Sequence, residues 1–194
     1  MTPEADNNAA KDHGVISLTN IETVNITASE ETAAAVQIMT VDLTLSGVDN
    51  LIISGKESVT SGAAIAASTI DASGLSAGAF VMNATASGLP QTITGSALGA
   101  DTLYGGGGAD TIIAAAGADS LLGGAGADTI TGGEGADTIT GGSGNDTIDL
   151  TEVTEVLDEV ILLWSESGTY IDTITGFNDS SMSGTVDEIQ IDLS

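Results

Sequence analysis

Six aspartates carry the chemistry this sequence offers. Asp101, Asp110, Asp119, Asp128, Asp137 and Asp146 follow one another at intervals of nine residues without a slip. Two residues before each stands a glycine (Gly99, Gly108, Gly117, Gly126, Gly135, Gly144), and two after each an aliphatic residue (Leu103, Ile112, Leu121, Ile130, Ile139, Ile148). A carboxylate at a fixed offset from a glycine-rich turn brings hard anionic oxygens together with freely oriented backbone carbonyls. That is the donor set of Ca2+, which takes roughly six to eight oxygens in irregular geometry. Fixed offsets over six copies argue against aspartates that merely decorate turns.

Other constellations fall away. Gly74-Leu75-Ser76-Ala77-Gly78 has the G-x-S-x-G spacing of an esterase elbow, which needs a strand-to-helix turn and a histidine partner. His13 is the sole histidine and sits in the N-terminal segment. Gly55-Lys56 lacks the remaining residues of a phosphate loop. With no cysteine there is no thiol catalysis, disulfide or Cys-based zinc site. No catalytic residues are expected, and the chain reads as a non-enzyme. Asp42, Asp49 and Asp71 read as solvated loop carboxylates, the alternative being further calcium sites in the ladder, and Asn25 and Asn83 fall in ordinary glycosylation sequons.

Charge narrows the partners. There are 28 acidic residues against Lys11 and Lys56, a net charge of −26. Two cations cannot neutralise a phosphate backbone, so nucleic acid is excluded, and anionic membrane surfaces with it. A 41% hydrophobic content and a mean hydropathy of +0.26 separate the chain from permanently disordered acidic sequences. It can bury a core once a cation offsets its charge. No apolar run approaches the ~18 residues of a membrane helix, so membrane insertion is not expected. Met1-Thr2-Pro3-Glu4 lacks the basic and apolar regions of a signal peptide, so an export signal is expected elsewhere.

The elements that must position the aspartates follow from the same period. Thr-Ile-x is short and β-branched, suited to a three-residue strand with its central residue inward. The glycine-rich segment then turns through positive φ angles. Two repeats make one coil of 18 residues, with Leu103, Leu121 and Ile139 stacked on one sheet and Ile112, Ile130 and Ile148 facing them from the other. No repeat buries its own core, so stacking is obligatory. In residues 15–95, alternating runs such as Val15-Ile16-Ser17-Leu18, Ile21 to Ile26, Val41 to Leu45 and Leu51-Ile52-Ile53 read as half-buried strands. Helix is expected only at Ser29 to Met39. Residues 1–14 read as a flexible end. In residues 150–194 the nine-residue period stops, and Trp164 and Phe177 suit a closing element over the last core layer.

The repeat resembles the GGxGxDxUx nonapeptide of RTX proteins, best in Gly105 to Ile113, Gly123 to Thr131, Gly132 to Thr140 and Gly141 to Asp149. The resemblance implies an all-β fold: a right-handed parallel β-helix or ladder over 15–95, a calcium-binding β-roll over 96–149 and a C-terminal β cap over 150–194. It implies ions between turns two repeats apart, pairing Asp101 with Asp119, Asp119 with Asp137, Asp110 with Asp128, and Asp128 with Asp146. The turn glycines Gly105, Gly107, Gly124, Gly126, Gly133, Gly142 and Gly144 belong to the same implied sites. Ala114-Ala115-Ala116 and Ser96-Ala97-Leu98 depart from the pattern, and alanine resists positive φ. Asp172 to Phe177 and Asp187 to Ser194 resemble the end of RTX proteins exported by the type I pathway, which implies the type I secretion machinery as a partner. Leu18 to Thr27 and Ser68 to Leu75 resemble surface-layer proteins with RTX repeats, implying an extracellular, cell-surface protein that folds on calcium and self-assembles as a homo-oligomer or lattice. The calcium-folded region of a secreted protease, lipase or adhesin is the alternative. Tyr104, Ile113 and Leu122, apolar at the outward ninth position, are expected to mark a contact surface, the alternative being that the N-terminal ladder or the Trp164 segment folds over them.

Overall fold

A computed structural model describes residues 12–19, 22–28, 38–46, 48–56, 58–61, 65–82, 88–154, 156–163, 170–177 and 187–192. Its strands alternate between two all-parallel sheets. The first holds β1 (Asp12–Thr19), β3 (Ile38–Ser46), β5 (Ser58–Ser61), β7 (Phe80–Val81), β9 (Thr102–Gly107), β11 (Ser120–Ala125), β13 (Thr138–Ser143), β15 (Glu159–Leu163) and β17 (Glu188–Asp192), paired in that order. The second holds β2 (Thr23–Ala28), β4 (Val48–Gly55), β6 (Ala67–Leu75), β8 (Thr92–Thr94), β10 (Thr111–Ala116), β12 (Thr129–Glu134), β14 (Thr147–Asp149) and β16 (Thr173–Thr175). Each strand pairs with the next but one in sequence, the signature of a parallel β-solenoid. The described residues contain no helix, and so none long and apolar enough to cross a membrane.

The core lies between the sheets. Leu103 pairs with Leu121 and Leu121 with Ile139, while Ile93, Ile112, Ile130 and Ile148 stack opposite, all buried. Each such side chain contributes about 1.5–3 kcal/mol when fully buried. Three positions per repeat face inward: the aliphatic eighth, the aspartate sixth and the first, where Gly105, Ala114 and Leu150 sit.

Several expectations need correction. The strands β9 to β13 are six residues long, not three, because pairing resumes beyond the first glycine position, as in Ala115↔Gly133 and Ala116↔Glu134. The expected helix at Ser29 to Met39 fails where it can be read: Ile38 and Met39 open β3 and pair with Ser58 and Val59, and residues 29–37 lie outside the described ones. β1 starts at Asp12, inside the segment expected to be flexible, because its pairing with β3 reaches Asp12↔Thr40. β15, β16 and β17 extend both sheets by parallel pairing. Of the two aromatics expected in the closing element, Phe177 is 38% exposed, and Trp164 lies outside the described residues.

Candidate metal centre

The sixth position of every repeat places its carboxyl group inside the coil. Asp101, Asp110, Asp119, Asp128, Asp137 and Asp146 are all at most 2% exposed. One oxygen of each is used by the backbone. The Asp101 N–H donates to Asp119 Oδ1 at 2.7 Å, that of Asp110 to Asp128 at 2.8 Å, that of Asp119 to Asp137 at 2.9 Å and that of Asp128 to Asp146 at 2.9 Å. The aspartates therefore form two columns, one along each edge, with coils 18 residues apart linked by carboxylate-to-amide bonds. The expected pairs are the ones brought together.

The columns run beyond the nonapeptides. The Asp137 N–H donates to Asp158 Oδ1 at 2.9 Å, the Asp158 N–H to Asp187 at 3.2 Å, and the Asp146 N–H to Asp172 at 3.0 Å. These three were missed in sequence because their spacing is irregular. A signal was available: Asp158-Glu159-Val160, Asp172-Thr173-Ile174 and Asp187-Glu188-Ile189 keep the aspartate two residues before an aliphatic. Toward the N-terminus the columns change character. Phe80 precedes Asp101 on one edge, its N–H donating to Asp101 Oδ1 at 2.6 Å. Gln91 precedes Asp110 on the other and donates its side-chain amide to the carbonyls of Ile65 and Ala67.

The second carboxylate oxygen is the telling atom. Oδ2 of Asp110, Asp119, Asp128, Asp137 and Asp146 is buried and accepts no hydrogen bond. Leaving a buried acceptor unsatisfied costs about 1–3 kcal/mol, more when it is charged. Five such atoms therefore cost about 5–15 kcal/mol, comparable to the whole stability of a domain. Burial raises the pKa of all these aspartates. It pushes Asp119 and Asp146 up to about 6 and Asp137 up to about 7, with neighbouring carboxylates adding to it and the amide hydrogen bonds opposing it. Asp101, Asp110 and Asp128 are raised for the same reason. A cation that accepts oxygen ligands removes both penalties. Among the described residues no three acidic or histidine side chains stand together as a metal cage, so backbone carbonyls must supply the remaining ligands.

The glycines fit that requirement unequally. A Cβ on Gly105 would lie 2.5 Å from Asp110 Oδ2 and 2.5 Å from the Gly123 carbonyl oxygen, so the first position leaves room for the carboxylate and a facing carbonyl. Gly124, Gly126, Gly133, Gly142 and Gly144 have φ between +105° and +140°, which glycine adopts without strain. Gly107 has no positive φ, and its position is taken by Ala116, Ala125, Glu134 and Ser143 in later repeats. Ala115 holds φ +86°, matching the glycines at its position, so the third turn keeps its shape at a strain cost. The Ser96 turn differs from expectation. Ile112 pairs with Ile93, which places Gly95 rather than Ser96 at the first position and makes the turn one residue longer. The extra residue, Ser96, donates its N–H to Asp101 Oδ2 at 2.6 Å and its hydroxyl to Oδ1 at 2.8 Å. Asp101 is thereby satisfied by protein alone.

The description "RTX calcium-binding nonapeptide repeat (4 copies)" matches residues 92–121 and 114–148. Residues 92–148 are an RTX β-roll. No curated protein and no solved structure matches the chain. RTX repeats bind calcium and are typical of secreted proteins, and the roll's buried, unpartnered Oδ2 atoms are the acceptors calcium requires. The decoys stay apart from the RTX roll. Ser76 donates its hydroxyl to the Gly55 carbonyl at 3.2 Å, and Leu75 beside it is buried core. Asp71 lies within β6 rather than in a loop, as Asp42 does in β3 and Asp49 in β4, and accepts from the Ser73 N–H and hydroxyl.

Proposed function

We propose that this chain is an extracellular structural protein that folds on calcium and assembles with copies of itself into a surface layer or related polymer, without enzymatic activity. The observation that carries the calcium half is the register of five unpartnered Oδ2 atoms along two edges. Asp110, Asp119, Asp128, Asp137 and Asp146 would hold the ions with turn carbonyls. Calcium supplies the positive charge that lets these carboxylates stay ionised inside the coil. In a calcium-poor cytoplasm the roll stays unformed and suits passage through a type I secretion machinery, folding outside.

Assembly is supported by the ninth positions. Tyr104 and Leu122 are paired neighbours on the first sheet, half-buried, and Ile113 is 40% exposed on the other. From the next coil on, the position is polar: Thr131, Thr140 and Asp149. Bound calcium also lowers the repulsion between chains of net charge −26. The test is light scattering and electron microscopy in millimolar-range calcium. The parent is expected to form ordered assemblies that dissolve in chelator, and Tyr104→Ser with Leu122→Ser to fold but not assemble. A parent that stays monomeric in calcium refutes the assembly reading.

A further inference from the structure

The column on the Asp137 edge continues past the last nonapeptide on that edge into a turn of different make-up. In the regular coils, the N–H of the fourth-position glycine donates to the third-position carbonyl one coil on: Gly108 to Ala125, Gly117 to Glu134 and Gly126 to Ser143. Gly135 breaks the series. Its N–H donates to the side-chain carboxylate of Glu152 at 3.4 Å, so a charged oxygen stands where a peptide carbonyl stands elsewhere. Glu152 also accepts the N–H of Val156. The turn is held in place from the coil below, where the Glu134 carboxylate accepts the N–H groups of Val153 and Thr154 at 2.7 and 3.1 Å.

This excursion ends at Asp158, 1% exposed, whose Oδ1 accepts the Asp137 N–H as the repeat aspartates accept from one another. Asp137 Oδ2 is buried, without a hydrogen-bond donor, and lies against Gly132 at the first position of its own turn. Asp137 also feels the charges of both Asp158 and Glu152, so negative potential converges on this turn more than on any repeat turn described. Resting on the calcium reading above, we infer that the coil joining Asp137 to Asp158 is a further calcium site outside the nonapeptides, with Asp137 Oδ2 and the Glu152 carboxylate as anionic ligands. The added formal charge of Glu152, where the repeat coils have a peptide carbonyl, makes it the tightest site on its edge and fastens the irregular coil to the roll.

Equilibrium dialysis against calcium tests this on the full chain. Glu152→Gln removes the charge and keeps an acceptor for only one of the two amides, since Gly135 and Val156 donate to different carboxylate oxygens. It is expected to weaken one ion per chain tenfold or more while circular dichroism at saturating calcium matches the parent. If Glu152→Gln binds the same number of ions at the same midpoint as the parent, the site is refuted, whereas a parent that binds no calcium refutes the broader reading instead. A second measurement needs no variant. In the parent, the Gly135 and Val156 amide resonances are expected to shift on calcium titration at a lower midpoint than that of Gly126. Amides that do not respond, or respond only with Gly126, overturn the assignment.

Discussion

Asp128 and Asp101 hold the same position in the repeat, yet their replacement by asparagine should act on opposite sides of the calcium equilibrium. Asp128 Oδ1 accepts the Asp110 N–H, and its Oδ2 accepts nothing. In Asp128→Asn the amide oxygen keeps the first bond, and a neutral NH2 replaces a buried anionic oxygen. Stability in chelator is therefore expected to hold or rise by about 1 kcal/mol. The calcium contribution of the two sites Asp128 shares, with Asp110 and with Asp146, is weakened, which at a hundredfold excess over Kd amounts to about 2.7 kcal/mol for each site lost. Asp101 has both oxygens filled by donors, from Phe80, Ser96 N–H and the Ser96 hydroxyl. In Asp101→Asn an NH2 must face at least one of those donors, a loss of about 1.5–3 kcal/mol for a bond to a charged acceptor. That loss is expected with or without calcium. Urea denaturation of both variants, followed by circular dichroism in chelator and in saturating calcium, separates the two. Equal calcium-dependent losses from both would refute the distinction between filled and unpartnered carboxylates.

Acid should partly replace calcium. A buried aspartate with a raised pKa favours the folded state below its unfolded pKa of 3.8, and that contribution is lost as pH rises through about 6 for Asp119, Asp146 and Asp158 and about 7 for Asp137. In chelator, stability measured by thermal melts is expected to rise as pH falls from 7 to 4, and a flat or falling profile would contradict it. Gly126→Ala, at φ +132° and with its Cβ driven into the Gly108 carbonyl, is expected to lose well over 2 kcal/mol, whereas Gly88→Ala, open on all sides, should stay within ~0.5 kcal/mol. Ala115→Gly, relieving φ +86°, is expected to gain about 1 kcal/mol in the same denaturation assay. On calcium removal, hydrogen exchange should accelerate in residues 102–149 while the core around Leu51, Ile53, Ile70 and Phe80 stays protected, because Phe80 and Gln91 fill the column there without ions. Uniform loss of protection would contradict that division.

The nonapeptide coils were legible because a nine-residue period fixes which side chains stack. Leu103 on Leu121 and Ile112 on Ile130 follow from spacing alone. Asp158, Asp172 and Asp187 were not, because hydrogen bonding across a coil tolerates turns of any length and only the short Asp-x-aliphatic phrase survives. Ser96 misled for a related reason: one inserted residue moves the first-position glycine to Gly95, and only strand register reveals the shift. Ile38 and Met39 illustrate a third limit. Their helical neighbourhood in sequence is overridden by pairing with β5, a tertiary term no local propensity carries.

The carboxylate-to-amide bonds between coils also have a mechanical meaning. Each aspartate clasps the coil before it, so the roll is a chain of clasps in series, and tension applied at its C-terminal side loads them one at a time. Asp146 must release Asp128 before Asp128 is strained against Asp110. Pulled in calcium, the roll would lengthen in discrete events of one 18-residue coil, about 60–65 Å of extended chain each. In chelator the same pull would meet far weaker clasps. A filament or layer built from such units would stiffen and soften with the calcium of the surrounding fluid.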